Sequence, residues 1–212
     1  MVAITAASPL MDSSYFEKGD YGRDIFNGMG STRCSELGYW NFFTPILDYS
    51  DLNSYVKSIE KYINEGMIRS SAELYFPVRL KNRGEYSLLD LNENGVSHIE
   101  LRMIDLNPLS EYGIDLRDVK FLQLLLIYLA CIDSIDFDAD RQMMSIANTK
   151  NAARFDLKTV NLTDRRGQTL SIADSALRLL SRMREFFFRI NPDSVLVIDF
   201  EADKFSDIKN RY

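Results

Sequence analysis

The sequence predicts an α+β fold, and three observations carry that prediction. Strand-like alternation is confined to the first half of the chain, at 72–81 and 97–106. The second half carries long helical patterns instead, so strands and helices are segregated rather than interleaved as βαβ units. No internal repeat or low-complexity linker divides the 212 residues. The chain therefore reads as a single domain over 1–212, with a sheet and loops in 1–110 and a mostly helical part in 111–212.

Each element follows from local chemistry. Residues 2–7 read as a short buried strand stopped by Ser8-Pro9, and 10–49, rich in Gly, Ser, Asp and Tyr, read as a long structured loop of the kind that usually serves function. Leu52, Tyr55, Val56, Ile59, Tyr62 and Ile63 recur at helical spacing, with Ser50 as the cap and Gly66 as the stop. Over 72–81, Ala72, Leu74, Phe76, Val78 and Leu80 share one strand face. Glu73, Tyr75, Pro77, Arg79 and Lys81 share the other. Pro77 cannot donate to a ladder, so this strand belongs at an edge or carries a bulge. A short turn or helix at 87–94 ends at Gly95 and feeds the strand at 97–106, which Pro108 ends. Asp115 caps an apolar helix running to about 132. Further helices are expected at about 138–153, 171–190 and 193–211, the last carrying Val195, Ile198, Phe205 and Ile208.

The strand at 97–106 is the most informative segment. Alternation places His98, Glu100 and Arg102 on one face and Ile99, Leu101 and Met103 on the other, with Asp105 opposite Glu100 in a structural place. A carboxylate and a guanidinium on one face beside an apolar core suit a metal and an anion. Read from pattern alone, the same residues are the surface charges of any half-exposed strand. Arg33 follows Gly28-Met29-Gly30-Ser31, and a guanidinium beside flexible backbone suits bidentate capture of a carboxylate, or is simply a loop arginine at the surface. Tyr39 and Tyr75 are the aromatic candidates among eleven tyrosines, and either can equally serve the core.

Composition removes several function classes. With 25 basic against 31 acidic residues and a net charge of −6, the chain lacks the cationic surface a nucleic-acid role needs. Two cysteines make no disulfide framework and fit a reducing cytoplasm. One histidine excludes HExxH and multi-histidine metal sites, so a metal would be held by carboxylate oxygens, favouring Mg2+ or Mn2+ over zinc. Walker A, GxGxxG and CxxC patterns are absent, and a hydrolase triad would have His98 as its only base. The apolar residues 2–10 follow no basic n-region, and the apolar run at 121–132 is too short for a bilayer, so no membrane role is expected.

Wording beyond these patterns narrows the reading. Glu100-Leu-Arg102-Met-Ile-Asp105-Leu-Asn-Pro108-Leu, followed by Tyr112-Gly113-Ile114, resembles a segment of the bacterial glutamate–cysteine ligase (γ-glutamylcysteine synthetase) family. Three further segments match in the family's order: Ala7-Ser8-Pro9 with Asp12-Ser13-Ser14, then Arg33-Cys34-Ser35-Glu36-Leu37-Gly38-Tyr39, then Glu73-Leu74-Tyr75-Phe76-Pro77-Val78-Arg79. The resemblance covers 3–130 well and the remainder loosely. It implies part of a glutamine-synthetase-like antiparallel sheet with helices packed outside. It also implies ATP-dependent joining of the γ-carboxylate of L-glutamate to L-cysteine through a γ-glutamyl phosphate, the first step of glutathione biosynthesis, with ATP and Mg2+ or Mn2+.

By the same resemblance Arg33 holds glutamate and Tyr39 and Tyr75 line the cysteine pocket. Glu100 binds metal, and Arg102 contacts the transferring phosphate as the catalytic residue. Family members are longer, and several of their metal-binding carboxylates lie in segments before the matched part. The expectation is thus a substrate-binding portion, incomplete in isolation. It would seek a missing N-terminal half or self-associate through uncovered apolar surface. Two other readings stay open: a non-catalytic binding or regulatory module derived from such a ligase, and a carboxylate–amine ligase with a different amine, for which Trp40 beside Tyr39 gives a reason.

Overall fold

A computed structural model describes residues 30–31, 33–35, 38, 41–107, 110–154 and 157–210, the side chains of Ile208 and Asn210 excepted. The strand expected at 2–7, most of the 10–49 loop, Tyr39, Trp40 and Pro108 lie outside these residues. Six helices and two small antiparallel strand pairs are present among them, in the order α1 (Leu52–Asn64), β1 (Val78–Lys81), α2 (Leu88–Asn94), β2 (His98–Leu101), α3 (Leu116–Cys131), α4 (Ala139–Arg154), β3 (Asn161–Thr163), β4 (Thr169–Ser171), α5 (Ile172–Phe188) and α6 (Asp193–Asn210). The class is α+β as expected, with the helices concentrated in the second half. No helix of the described residues is long and apolar enough to cross a membrane.

The helices begin where side-chain oxygens can take up orphan amides. Asp51 caps α1 by accepting from Ser54 N, one residue later than the expected Ser50 cap. Ser87, Asp115 and Ser171 cap α2, α3 and α5 in the same way. One core forms between α3, α5 and α6, with Phe121, Leu125, Leu180, Met183, Ile198 and Phe205 all but sealed from solvent. A second gathers Leu47, Val56, Ile59, Leu74 and Leu91 around α1. On the outer side of α3, Leu116, Val119 and Ile127 remain exposed.

The two expected strands do pair antiparallel, Arg79 opposite Glu100 and Val78 opposite Leu101, but both are shorter than the sequence predicts. Residues 71–73 form a single 3-10 turn, and only 78–81 are strand. Arg79 explains part of the loss. Its guanidinium reaches back to the carbonyls of Ser71 and Ala72 at 3.2 and 3.0 Å, satisfying a turn where a ladder was expected. Pro77 explains the rest: it has no amide to donate, and its carbonyl takes the Arg102 amide at 2.8 Å. Beyond Leu101 the chain leaves the ladder. The expected apolar face is broken too, since Met103 is 1% exposed but Ile99 is 38% exposed.

The β3–β4 hairpin was not expected. Its turn is closed by Asp164, whose side chain accepts the amides of Arg166 and Gln168, with Gly167 at positive φ. Three-residue strands are too short for alternation to register.

Three amide side chains act as one-residue strands. Asn41 pairs with the N–H and C=O of Tyr75 at 2.9 and 2.6 Å. Gln142 does the same for Leu47 at 2.9 and 2.7 Å, and Asn148 for Thr163 at 2.9 and 2.7 Å. Each satisfies backbone groups that would otherwise be buried without partners. Two of the three, Asn41 and Gln142, stand at the cavity described next.

Candidate substrate site

The cavity begins with a loop pinned to a helix. Gly30 sits against α4 so closely that a Cβ would collide with the carbonyl oxygen of Ala152 and the side chain of Leu157. The next residue, Ser31, donates its amide to Ala153 O at 3.0 Å. Only glycine permits this approach. Gly30→Ala is therefore expected to destabilise the chain by about 1–3 kcal/mol through forced displacement of the loop. Thermal melts of the variant would check this; an unchanged melting temperature would show that the loop is not held there.

From this anchor the chain delivers Arg33 to the segment leaving β2. The Arg33 amide donates to Asp105 Oδ1 at 2.8 Å, and its Nε donates to the carbonyl of Arg102 at 2.6 Å. Asp105 is buried, with burial raising its carboxyl above the ordinary value despite Ser31 and Arg33 beside it. It is thus the strut that positions Arg33, the structural role its place opposite Glu100 foretold. Cys34 follows, its thiol directed at Met103 O at 3.6 Å and its pKa raised by burial.

These contacts shape a cavity of about 280 Å3 between the 33–49 segment, residues 75–78, Arg102 and one face of α4. That is near the lower end of small-molecule sites, a size for a compact ligand. Arg33, Tyr75 and Arg102 line it together, and the Arg102 guanidinium lies 5.7 Å from the centre of the Tyr75 ring. Three of the five candidate residues thus meet in one place. Tyr39 is outside the described residues.

Glu100 does not line the cavity. It stands opposite Arg79 in the β1–β2 pair, half-buried, with Oε2 buried and without a hydrogen-bond partner. Among the described residues no group of three His, Cys, Asp or Glu side chains comes together as a metal cluster. An orphaned carboxylate oxygen fits one ligand of a divalent cation, and one such oxygen falls short of a whole site.

Half of the cavity wall was not anticipated. Gln142, Ser145, Ile146, Thr149 and Lys150 of α4 face it, alongside Phe43, Tyr49 and Phe137. Burial pushes the Tyr49 hydroxyl up to about 12. The α4 residues follow helical spacing at i, i+3, i+4, i+7 and i+8, a stripe with four polar members. That polar stripe was the available signal. Arg33, Arg102 and Lys150 give the cavity three cations, and no acidic side chain lines it among the described residues.

Comparison with known proteins now fixes the relationship. The family model for glutamate-cysteine ligase matches residues 39–152, more than half of the chain. The chain belongs to the glutamate–cysteine ligase family. The match spans Tyr75, Glu100, Arg102 and the α4 wall, while Arg33 lies just before it. The chain is 30% identical over 200 residues to the glutathione biosynthesis bifunctional protein GshAB of Listeria monocytogenes, covering 91% of this chain and 26% of that protein. It is 35% identical over 127 residues to the protein of the same name from Enterococcus faecalis, covering 60% and 16%. The fold is that of a glutamate–cysteine ligase from Francisella tularensis solved in complex with AMP, with a TM-score of 0.83 at 19% identity, covering 99% of this chain and 49% of that one. The chain thus spans 26% and 16% of these two bifunctional relatives and about half of the solved ligase.

Proposed function

We propose that this chain carries the substrate-binding portion of an ATP-dependent glutamate–cysteine ligase. The observation that carries the reading is the convergence of Arg33, Tyr75 and Arg102 on one cationic cavity. In the proposed reaction ATP phosphorylates the γ-carboxylate of L-glutamate, and the amine of L-cysteine then displaces phosphate to give γ-glutamylcysteine, the entry to glutathione biosynthesis in the cytoplasm.

The residues divide this work by chemistry. Arg33, oriented by Asp105 and by its bond to the Arg102 carbonyl, presents its guanidinium to a carboxylate of glutamate. Tyr75, with its backbone fixed by Asn41, turns its ring toward the cysteine pocket, where Tyr39 is assigned by family resemblance. Arg102 stabilises negative charge as the phosphoryl group transfers. Glu100 would hold Mg2+ or Mn2+ as one carboxylate of a larger set, and such a cation supplies charge neutralisation on the phosphates.

An assay tests the reading directly. Phosphate release dependent on ATP, glutamate and cysteine is measured for the chain alone and with the remaining N-terminal part of a bacterial relative supplied. The expected result is no turnover alone and restored turnover in the mixture. Robust magnesium-dependent turnover by the 212-residue chain alone would overturn the assignment of a partial site. The exposed apolar residues of α3 also fit association, with the supplied part or with a second copy.

A further inference from the structure

Polarity is unevenly spread along the cavity. At one end, Gln142 is committed to the backbone of Leu47 and the carbonyl of Phe137, among the rings of Tyr49 and Phe137. Eight residues on, about 12 Å along α4 at the helical rise, stands Lys150. It lies two and three residues before Ala152 and Ala153, the residues against which Gly30 and Ser31 are packed. The loop that presents Arg33 is therefore fastened to the same end of α4 that presents Lys150. Arg33 and Lys150 thus line one cavity from two separate elements, Arg33 with its Nε held on the Arg102 carbonyl at 2.6 Å, and the two charges favour an anion between them.

We propose that Lys150 is a substrate-binding residue, contacting the non-reacting α-carboxylate of the acidic amino acid that Arg33 also holds. The inference rests on the reading of this cavity as the acid's site and adds a residue that reading did not include. The reacting carboxylate faces the side of Arg102, whose charge acts on the phosphoryl group as it transfers rather than on the bound acid. That leaves the other carboxylate for the α4 end. The two cations there are complementary in kind. Arginine offers a planar fork that fixes orientation, and lysine a compact charge that adjusts its position on a flexible stem. The aromatic end stays free for the less polar part of the bound molecules.

Two measurements on the 212-residue chain decide the matter. In the first, L-glutamate and 4-aminobutyrate, which is glutamate without its α-carboxylate, are titrated calorimetrically into wild type, Lys150→Gln and Lys150→Arg. Lys150→Gln is expected to weaken glutamate roughly tenfold, the scale of one charge-assisted contact. Binding of 4-aminobutyrate should change little, and Lys150→Arg should keep most of the glutamate affinity. In the second, wild type is acetylated with and without each ligand and Lys150 labelling is read by mass spectrometry. Protection by glutamate and not by 4-aminobutyrate is expected. Equal losses for both ligands in Lys150→Gln, no loss for either, or no glutamate-specific protection would overturn the assignment while leaving the cavity as the acid's site. Failure of wild type to bind glutamate at all would overturn that underlying reading, and the Lys150 assignment with it.

Discussion

Replacing Lys204 by alanine is expected to destabilise the fold by about 3–5 kcal/mol, the usual consequence of stranding a buried charge. Lys204 Nζ on α6 donates to Glu201 Oε1 at 2.8 Å and to Asp118 Oδ1 on α3 at 2.9 Å. Glu201 is 0% exposed and its Oε2 has no hydrogen-bond partner, so without the ammonium its charge has nothing to offset desolvation. Because Lys204 keeps about a third of its side chain in solvent, water entry should hold the loss to the lower part of that range. Denaturant melts of Lys204→Ala check this. A paired Lys204→Met/Glu201→Leu variant should recover most of the loss, since apolar replacement of a buried ion pair is often neutral or better.

The pH dependence follows from the same cluster. Burial holds the Glu201 carboxyl above its ordinary value of 4.5. The folded chain thus retains this proton at pH values where the unfolded chain has lost it. The stabilisation from that proton is full below 4.5 and is lost as pH rises through the raised value. Removing Lys204 lifts the raised value further. The deficit of Lys204→Ala should therefore be larger at pH 7 than at pH 5, and an equal deficit at both would show that Glu201 ionisation is not its source.

Arg33→Ala should weaken glutamate binding by roughly ten- to a hundredfold, equivalent to about 1.5–3 kcal/mol for a charge-assisted contact. Arg102→Ala should leave glutamate affinity comparatively intact and lower turnover of the completed enzyme, because its charge matters most during phosphoryl transfer. The two arginines touch, Arg33 Nε donating to the carbonyl of Arg102 at 2.6 Å. Since that contact is to backbone, Arg102→Ala preserves it and Arg33→Ala does not. Titration of glutamate into both variants, with kinetics at saturating and limiting glutamate, separates the roles. Unchanged affinity in Arg33→Ala with abolished affinity in Arg102→Ala would reverse them.

What could be read from the sequence was what local chemistry decides. The stripe of Tyr55, Val56 and Ile59 and the cap at Asp115 specify helices without tertiary help. Arg33, Tyr75 and Arg102 were legible as a group through family wording, and the fold brings them to one cavity. The strand over 72–81 was misjudged because alternation cannot reveal that Arg79 turns back to carbonyls seven and eight residues earlier. The hairpin at 161–171 offered strands of three residues, below the length at which a period shows. The α4 wall was hidden for a different reason. A polar stripe on a helix reads as a solvated face until the bonds of Gln142 to the Leu47 backbone show what lies against it. Glu100 carried the strongest motif yet stands apart from the cavity, since the chain leaves the β1–β2 ladder between it and Arg102.

The central claim is that the cavity between the Arg33 loop and α4 receives glutamate. A crystal structure of the chain grown with L-glutamate tests it most directly. The amino acid is expected in that cavity, with one carboxylate at about 2.7–2.9 Å from the Arg33 guanidinium. Glutamate ordered elsewhere, or an empty cavity in a crystal whose chain binds glutamate in solution, would contradict it.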